Sequence, residues 1–285
     1  MIKTIKYFFE AIFIYLFFFV AKLIGLSLSR RLFSYIFRKI GPLIRSDKII
    51  NKNLMRFSNS LSDPKKKEII SNMWSNYGMT FIEYIYLKKF RDSQLHIDIE
   101  GKEILDEISE NNKPVIFISG HFANFELMSM EITKKKINLA TIYRPLNNFF
   151  INPLMEYFRK KYVCKNQIKK GRGGVKKAIE YINNQHSIAL MVDQRVSEGK
   201  KIKFFNGGAL TTTLPAQLAL KYNLDLIPIF IERHGNYLFK MKVYKPIKSS
   251  SFNNKFEISE KLNQIIESMI TKNPNQWIWT HDRWK

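Results

Sequence analysis

Between Lys113 and Lys272 short apolar runs alternate with segments of helical spacing, and this alternation limits the fold more than any other feature of the sequence. "KPVIFIS" reads as a buried strand and "HFANFELMSMEITKKK" after it as a helix. "INLATIYRP" is strand-like and precedes a helix near Phe149–Tyr162, "GGVKKAIEYINN" is helical, and "SIALMVD" is a strand that ends in an acid. "TTTLPAQLALKY" is helical, "LDLIPIFIE" and "YLFKMKVY" are strand-like, and "EISEKLNQIIESMITKN" closes as an amphipathic helix. Such a series predicts an α/β fold with a mixed, largely parallel central sheet flanked by helices. Upstream, Pro64 opens a helical pattern through about Phe90, with Ile69, Ile70, Met73, Trp74, Tyr77, Phe81 and Tyr84 as a core stripe. The stretch from Gly41-Pro42 to Lys66 is polar and reads as a loop-like linker.

Residues 1–41 form a separate unit. Two lysines lead into a dense Phe/Ile/Leu block, which ends in Arg30, Arg31, Arg38 and Lys39. No small-x-small cleavage site follows, so the segment reads as an uncleaved N-terminal membrane anchor. Glu10 and Lys22 bound a charge-free core of about 11 residues, short of the ~20 that a bilayer requires. Lys22 can snorkel and Glu10 can pair with Lys6, so a spanning helix is favoured over one lying in the interface. The basic cluster then sits beside cytoplasmic headgroups, which predicts that the body, residues 42–285, faces the cytoplasm.

The net charge of +23, from 47 basic and 24 acidic residues, demands a negative partner: nucleic acid, anionic lipid or an acidic protein. A single cysteine, Cys164, excludes an intrachain disulfide framework and a multi-cysteine zinc site, and reads as an incidental thiol. No metal or cofactor is expected.

Reactive groups gather where the strands of such sheets end, and His121, Arg144 and Asp193 all occupy strand ends. "ISGHFANFE" sets His121 five residues before Glu126. Five residues on a helix turn through about 140°, so the two side chains meet only if His121 lies in the turn before the helix, which Gly120 permits. A carboxylate on one ring nitrogen would fix the tautomer and leave the other nitrogen as a base. The sequence contains no G-x-S-x-G elbow, H-E-x-x-H, Walker loop or G-x-G-x-x-G. The nucleophile is therefore expected to be a substrate hydroxyl.

"SGHFANFE" is similar to the H-x4-D/E motif of glycerolipid acyltransferases, and in its G-H-x-x-N-x-E form it resembles the lipid A biosynthesis lauroyl/myristoyl acyltransferase family. Further matches follow in family order: "YRP" at 143–145, Arg159, "GRGGVKKAIEYI", "MVDQ" with Asp193, "KFF", "LIPIFIER" and "PNQWIWTHDRWK". The resemblance covers nearly the whole chain and implies a glycerolipid acyltransferase-like fold. It implies transfer of an acyl group from an acyl carrier protein or CoA thioester to a lipid A precursor hydroxyl, with His121 as base and Glu126 orienting it. It also places Arg159 and Asp193 around the site, while Arg144 and Arg172 are candidates for phosphate binding through their planar guanidinium groups. An acidic carrier would suit the basic chain, and the acceptor would be a lipid with an anionic headgroup. Ala123 and Phe125 stand where many members have glycine and tryptophan, and "KFFNGGAL" carries an extra residue. The alternatives are acylation of a lysophospholipid or other glycolipid, or a membrane-tethered lipid- or nucleic-acid-binding protein. Against nucleic acid, the basic residues are scattered rather than gathered in a binding module. Trp277 reads as core packing, and His281 as structural rather than a second base.

Overall fold

The structure is a computed structural model that describes residues 2–45, 47–235 and 238–285. Helices α1 (Ile2–Ile44), α2 (Asp47–Phe57), α3 (Asp63–Glu83) and α4 (Leu87–Asp92) come first, followed by β1 (Ile97–Glu100) and α5 (Lys102–Asn111). The central part runs β2 (Ile116–Ser119), α6 (Glu126–Lys134), β3 (Leu139–Tyr143), α7 (Asn152–Phe158), β4 (Asn166–Lys169), α8 (Arg172–Asn183) and β5 (Ser187–Met191). A hairpin, β6 (Lys200–Phe204) and β7 (Gly207–Thr211), leads to α9 (Leu214–Tyr222), β8 (Leu226–His234), β9 (Leu238–Val243) and α10 (Lys255–Lys272). Tyr237, read from sequence as the start of the last strand, lies outside the described residues, as does Met1.

The main sheet has the order β1-β9-β8-β2-β5-β3-β4. Its pairs are parallel except β8 with β9, so the mixed, largely parallel α/β architecture expected from the alternation is what forms. β2 is an unbroken apolar run because both of its faces are covered. Ile116 and Ile118 enter one hydrophobic cluster and Phe117 the other, all essentially without exposure. Each such side chain contributes about 1.5–3 kcal/mol by leaving water. One face is covered by side chains of α2, α3, α8, α9 and α10, the other by α4 to α7.

Two expectations change at the N-terminus. The linker is largely helical: α1 runs to Ile44, and α2 buries Ile50 and Leu54 completely. Two apolar residues one turn apart suffice to dock α2, too few to stand out in "DKIINKNLMRF". The anchor is not one straight rod either. Gly25, at φ +79°, breaks α1 in the left-handed region that glycine alone enters without strain. The second half of α1 packs on α3 so closely that a Cβ on Gly78 would stand 2.1 Å from the Phe33 carbonyl oxygen. Arg30, expected at the headgroups, is instead buried, with its Nε 2.6 Å from Glu83 Oε1.

Candidate active site

The register of β2 on β5 builds the centre of the site. Ser119 pairs with Met191, so two residues further along each parallel strand His121 and Asp193 emerge side by side. His121 Nδ1 donates to Asp193 Oδ1 at 2.8 Å, and the His121 backbone N–H donates to Oδ2 at 2.8 Å. Trp277 Nε1 donates to the same Oδ2 at 2.8 Å. A carboxylate can only accept, so Nδ1 carries the proton and Nε2 keeps its lone pair. Burial alone would raise the Asp193 carboxyl, but its pairing with His121 and the hydrogen bonds from His121 and Trp277 outweigh it and hold the group down to about 2. Gly120 is required beside this pair, since a Cβ there would meet the Phe122 ring at 2.7 Å and the Asp193 carboxylate at 3.2 Å.

His121 does precede the helix, as the spacing argument requires: α6 begins only at Glu126. The structure nevertheless gives the imidazole to Asp193. The Glu126 carboxylate is held by Arg159, whose Nε donates to Oε1 at 2.8 Å, and by the Tyr84 hydroxyl. Tyr84 in turn accepts from Arg159 Nη2 at 2.9 Å. Glu126 and Arg159 are each less than one-tenth exposed. Burial would lower the Arg159 guanidinium, but Glu126 and Tyr84 reverse this and raise it. A carboxylate committed to a buried guanidinium is not at hand for the ring nitrogen.

The turn between strand and helix is fixed from outside. Ala123 adopts φ +43°, a conformation that costs an alanine about 1–2 kcal/mol and a glycine almost nothing. Its carbonyl accepts from Thr80 Oγ1 at 2.9 Å and its N–H donates to Gln276 O at 3.2 Å. Asn124 Nδ2 donates to Glu83 Oε2 at 2.9 Å. Glu83 is wholly buried. Burial would raise its carboxyl, but Arg233 and Arg30 dominate and lower it. Thus α3, with α1 behind it, grips the loop that carries His121.

Two cavities meet at His121 and Phe125. The smaller, about 170 Å³, is largely apolar and is lined by Tyr77, Thr80, Phe81, Tyr84 and Ile278. The larger, about 390 Å³, has a mixed lining, and Arg144, Arg159, Lys170, Arg195 and His281 reach it. Of the arginines singled out in the sequence, Arg144 and Arg159 line this space, while Arg172 is exposed at the start of α8 and does not. Gly171 to Gly174 make a helix-opening turn in which a Cβ on Gly174 would strike the Lys169 carbonyl at 2.2 Å. Sequence reasoning missed Lys170 and Arg195, although both follow strand ends; burial lowers the Lys170 amine. Trp277 packs in the core as expected and also holds Asp193. Among the described residues, no group of three or more His, Cys, Asp or Glu side chains could hold a metal ion.

His121 thus stands where an apolar and a basic cavity meet, with the ring nitrogen opposite its Asp193 bond left free. The protein is an O-acyltransferase. The family described as bacterial lipid A biosynthesis acyltransferase matches residues 2–285, and the chain belongs to it. It is similar to the lipid A biosynthesis palmitoleoyltransferase of Escherichia coli (strain K12), 23% identical over 251 residues, 85% of this chain and 80% of that protein. The lauroyltransferase of the same organism is 20% identical over 247 residues, 85% of this chain and 79% of its own. A lipid A biosynthesis acyltransferase of Haemophilus influenzae is 24% identical over 265 residues, covering 89% and 81%.

Proposed function

We propose that this protein moves a fatty acyl chain from a thioester, carried by acyl carrier protein or CoA, onto a hydroxyl of a lipid A precursor. The observation that carries this reading is the His121–Asp193 pair at the junction of an apolar and a basic cavity. His121 Nε2 takes the proton of the acceptor hydroxyl as its oxygen attacks the thioester carbonyl. Asp193 keeps the ring in the Nδ1–H tautomer and stabilises the imidazolium that forms. The carbon–sulfur bond then breaks, the ester remains on the acceptor, and the proton passes from His121 to the departing sulfur. The apolar cavity suits the first carbons of the acyl chain. Arg144, Lys170 and Arg195 suit the anionic headgroup of the acceptor. Glu126 acts through Arg159, fixing one wall of the larger cavity.

α1 supplies membrane attachment. It is long and apolar enough to cross a bilayer, yet along its first half it touches the body: Tyr7 stacks edge-on against Phe149, Tyr15 donates to the Phe150 carbonyl, and Phe18 meets Phe81. Its outer stripe, including Phe9, Phe13, Leu16, Phe19 and Leu23, is open. These contacts support a helix lying in the interface rather than crossing it. The proposed place of the body is the cytoplasmic face of a bacterial inner membrane, where the basic residues of α1 would meet anionic headgroups.

Mass spectrometry of lipids after incubation of the purified protein with defined acyl thioesters and a lipid A precursor tests the reading. A precursor gaining the mass of one fatty acid, less water, is expected. Acylation of a lysophospholipid with the precursor left untouched would replace the acceptor proposed.

A further inference from the structure

His281 lines the larger cavity together with His121, and its environment is more constrained than a packing role needs. Asn53 Nδ2 donates to the His281 backbone carbonyl at 2.8 Å and to that of Trp279 at 2.7 Å, so α2 clamps the C-terminal segment in place. On the side chain, the Arg195 backbone N–H donates to His281 Nε2 at 2.8 Å. An imidazole nitrogen that accepts a hydrogen bond carries no proton, so in the neutral ring the proton must be on Nδ1. Nδ1 has no protein partner among the described residues, and it is not sealed from solvent as the orphaned Nδ1 of His96 is. The structure therefore holds a neutral N–H donor, fixed in tautomer and position, at the cavity into which His121 offers its base.

Resting on the acyl-transfer reading above, we propose that His281 is a catalytic donor: its Nδ1–H hydrogen-bonds the thioester carbonyl oxygen and stabilises the oxyanion that forms when the acceptor hydroxyl attacks. No proton leaves His281 in this step. The hydroxyl proton goes to His121 and then to the departing sulfur, while Nδ1–H only gains a stronger acceptor. The attacked carbonyl lies one forming bond from the hydroxyl at His121 Nε2, so its oxyanion donor has to come from the same part of the cavity. Burial pushes the His281 imidazole down to about 4, which keeps it neutral near pH 7 and makes it a donor rather than an acid.

Two substitutions separate this role from a purely structural one. His281→Asn sets an amide N–H near the position of Nδ1, whereas His281→Gln reaches the position of Nε2, can accept the Arg195 N–H and offers nothing at Nδ1. The expected result is a roughly 10²–10³-fold fall in kcat for His281→Gln, with KM for the thioester changed by no more than about 3-fold, and substantial recovery in His281→Asn. A His281→Gln enzyme at the parental rate overturns the proposal. So does the reverse order, Asn worse than Gln, which loss of the Arg195 contact alone would produce. Should thermal unfolding show that neither variant folds, nitrogen-15 NMR of histidine-labelled parent protein decides the matter. A proton on Nδ1 supports the assignment and a proton on Nε2 overturns it. A parent protein that acylates no lipid A precursor would count against the functional reading rather than against His281.

Discussion

At the scale of the residue, two carboxylates with similar claims on the sequence have different partners. Asp193 sits on the imidazole and Glu126 on a buried guanidinium. Replacing them should therefore fail in different ways. Asp193→Asn turns an acceptor into a group that can present N–H to Nδ1, so it disfavours the tautomer that leaves Nε2 free. A fall in kcat on the order of 10⁴-fold is expected, with the protein still folded and membrane-bound. Glu126→Gln leaves Arg159 without its countercharge in a largely buried site at the cavity wall, and should cost up to about 3–5 kcal/mol in stability before any effect on chemistry is counted. Thermal unfolding measured beside steady-state rates distinguishes the two. An Asp193→Asn protein that acylates at the parental rate would remove Asp193 from the role given to it. The sequence made the histidine and its place in the turn legible, through Gly120 and the limit that helical geometry sets on a five-residue spacing. It could not make the partner legible. Asp193 is 72 residues from His121, and what joins them is a strand pairing.

At the scale of the element, the long helical pattern from Pro64 to Phe90 was readable because its apolar stripe is dense. The docking of α2 was not, because two buried residues and one side-chain amide carry it. The contact of α1 with α3 was hidden for a different reason: it depends on absent atoms. Glycine at 78 lets the backbone of α1 approach, and alanine there would place its Cβ against a carbonyl that cannot rotate away. Helix propensity favours Gly78→Ala by up to about 1 kcal/mol, whereas forcing two packed helices apart costs about 1–3 kcal/mol or more. The steric term wins, so Gly78→Ala should lower the melting temperature. Gly173 in α8 has open space at its Cβ position, and Gly173→Ala should leave stability unchanged or raise it. Equal shifts of one sign in both variants would show that propensity alone is being measured. Because α3 also holds Ala123, and through Glu83 holds Asn124, the Gly78 variant should lose transfer activity at temperatures where it is still folded.

At the scale of the whole molecule, the alternation of strand and helix named the architecture, and of the positions past strand ends the fold brings His121 and Arg144 to one cavity and Asp193 onto His121. Strand order stayed hidden: nothing in "KPVIFIS" or "SIALMVD" says that they are neighbours, and that adjacency is what brings His121 to Asp193. The disposition of the anchor follows the same logic, since the charge-free core alone is consistent with a short span or a surface helix. Contacts from Tyr7 to Ala21 along the body are what the proposed surface helix rests on, because a helix that keeps those contacts cannot also leave the body to cross a bilayer. Cysteine labelling tests this directly. Cys164 is buried and its thiol is pushed up to about 11 by that burial, so it does not react with an impermeant maleimide and leaves a clean background. Lys3 and Lys39 are both exposed, on opposite sides of the break at Gly25. In spheroplasts neither Lys3→Cys nor Lys39→Cys should be labelled from outside, and in inverted membrane vesicles both should be. A Lys3→Cys protein labelled only from outside, with Lys39→Cys labelled only in inverted vesicles, would mean that the first half of α1 detaches from the body and spans.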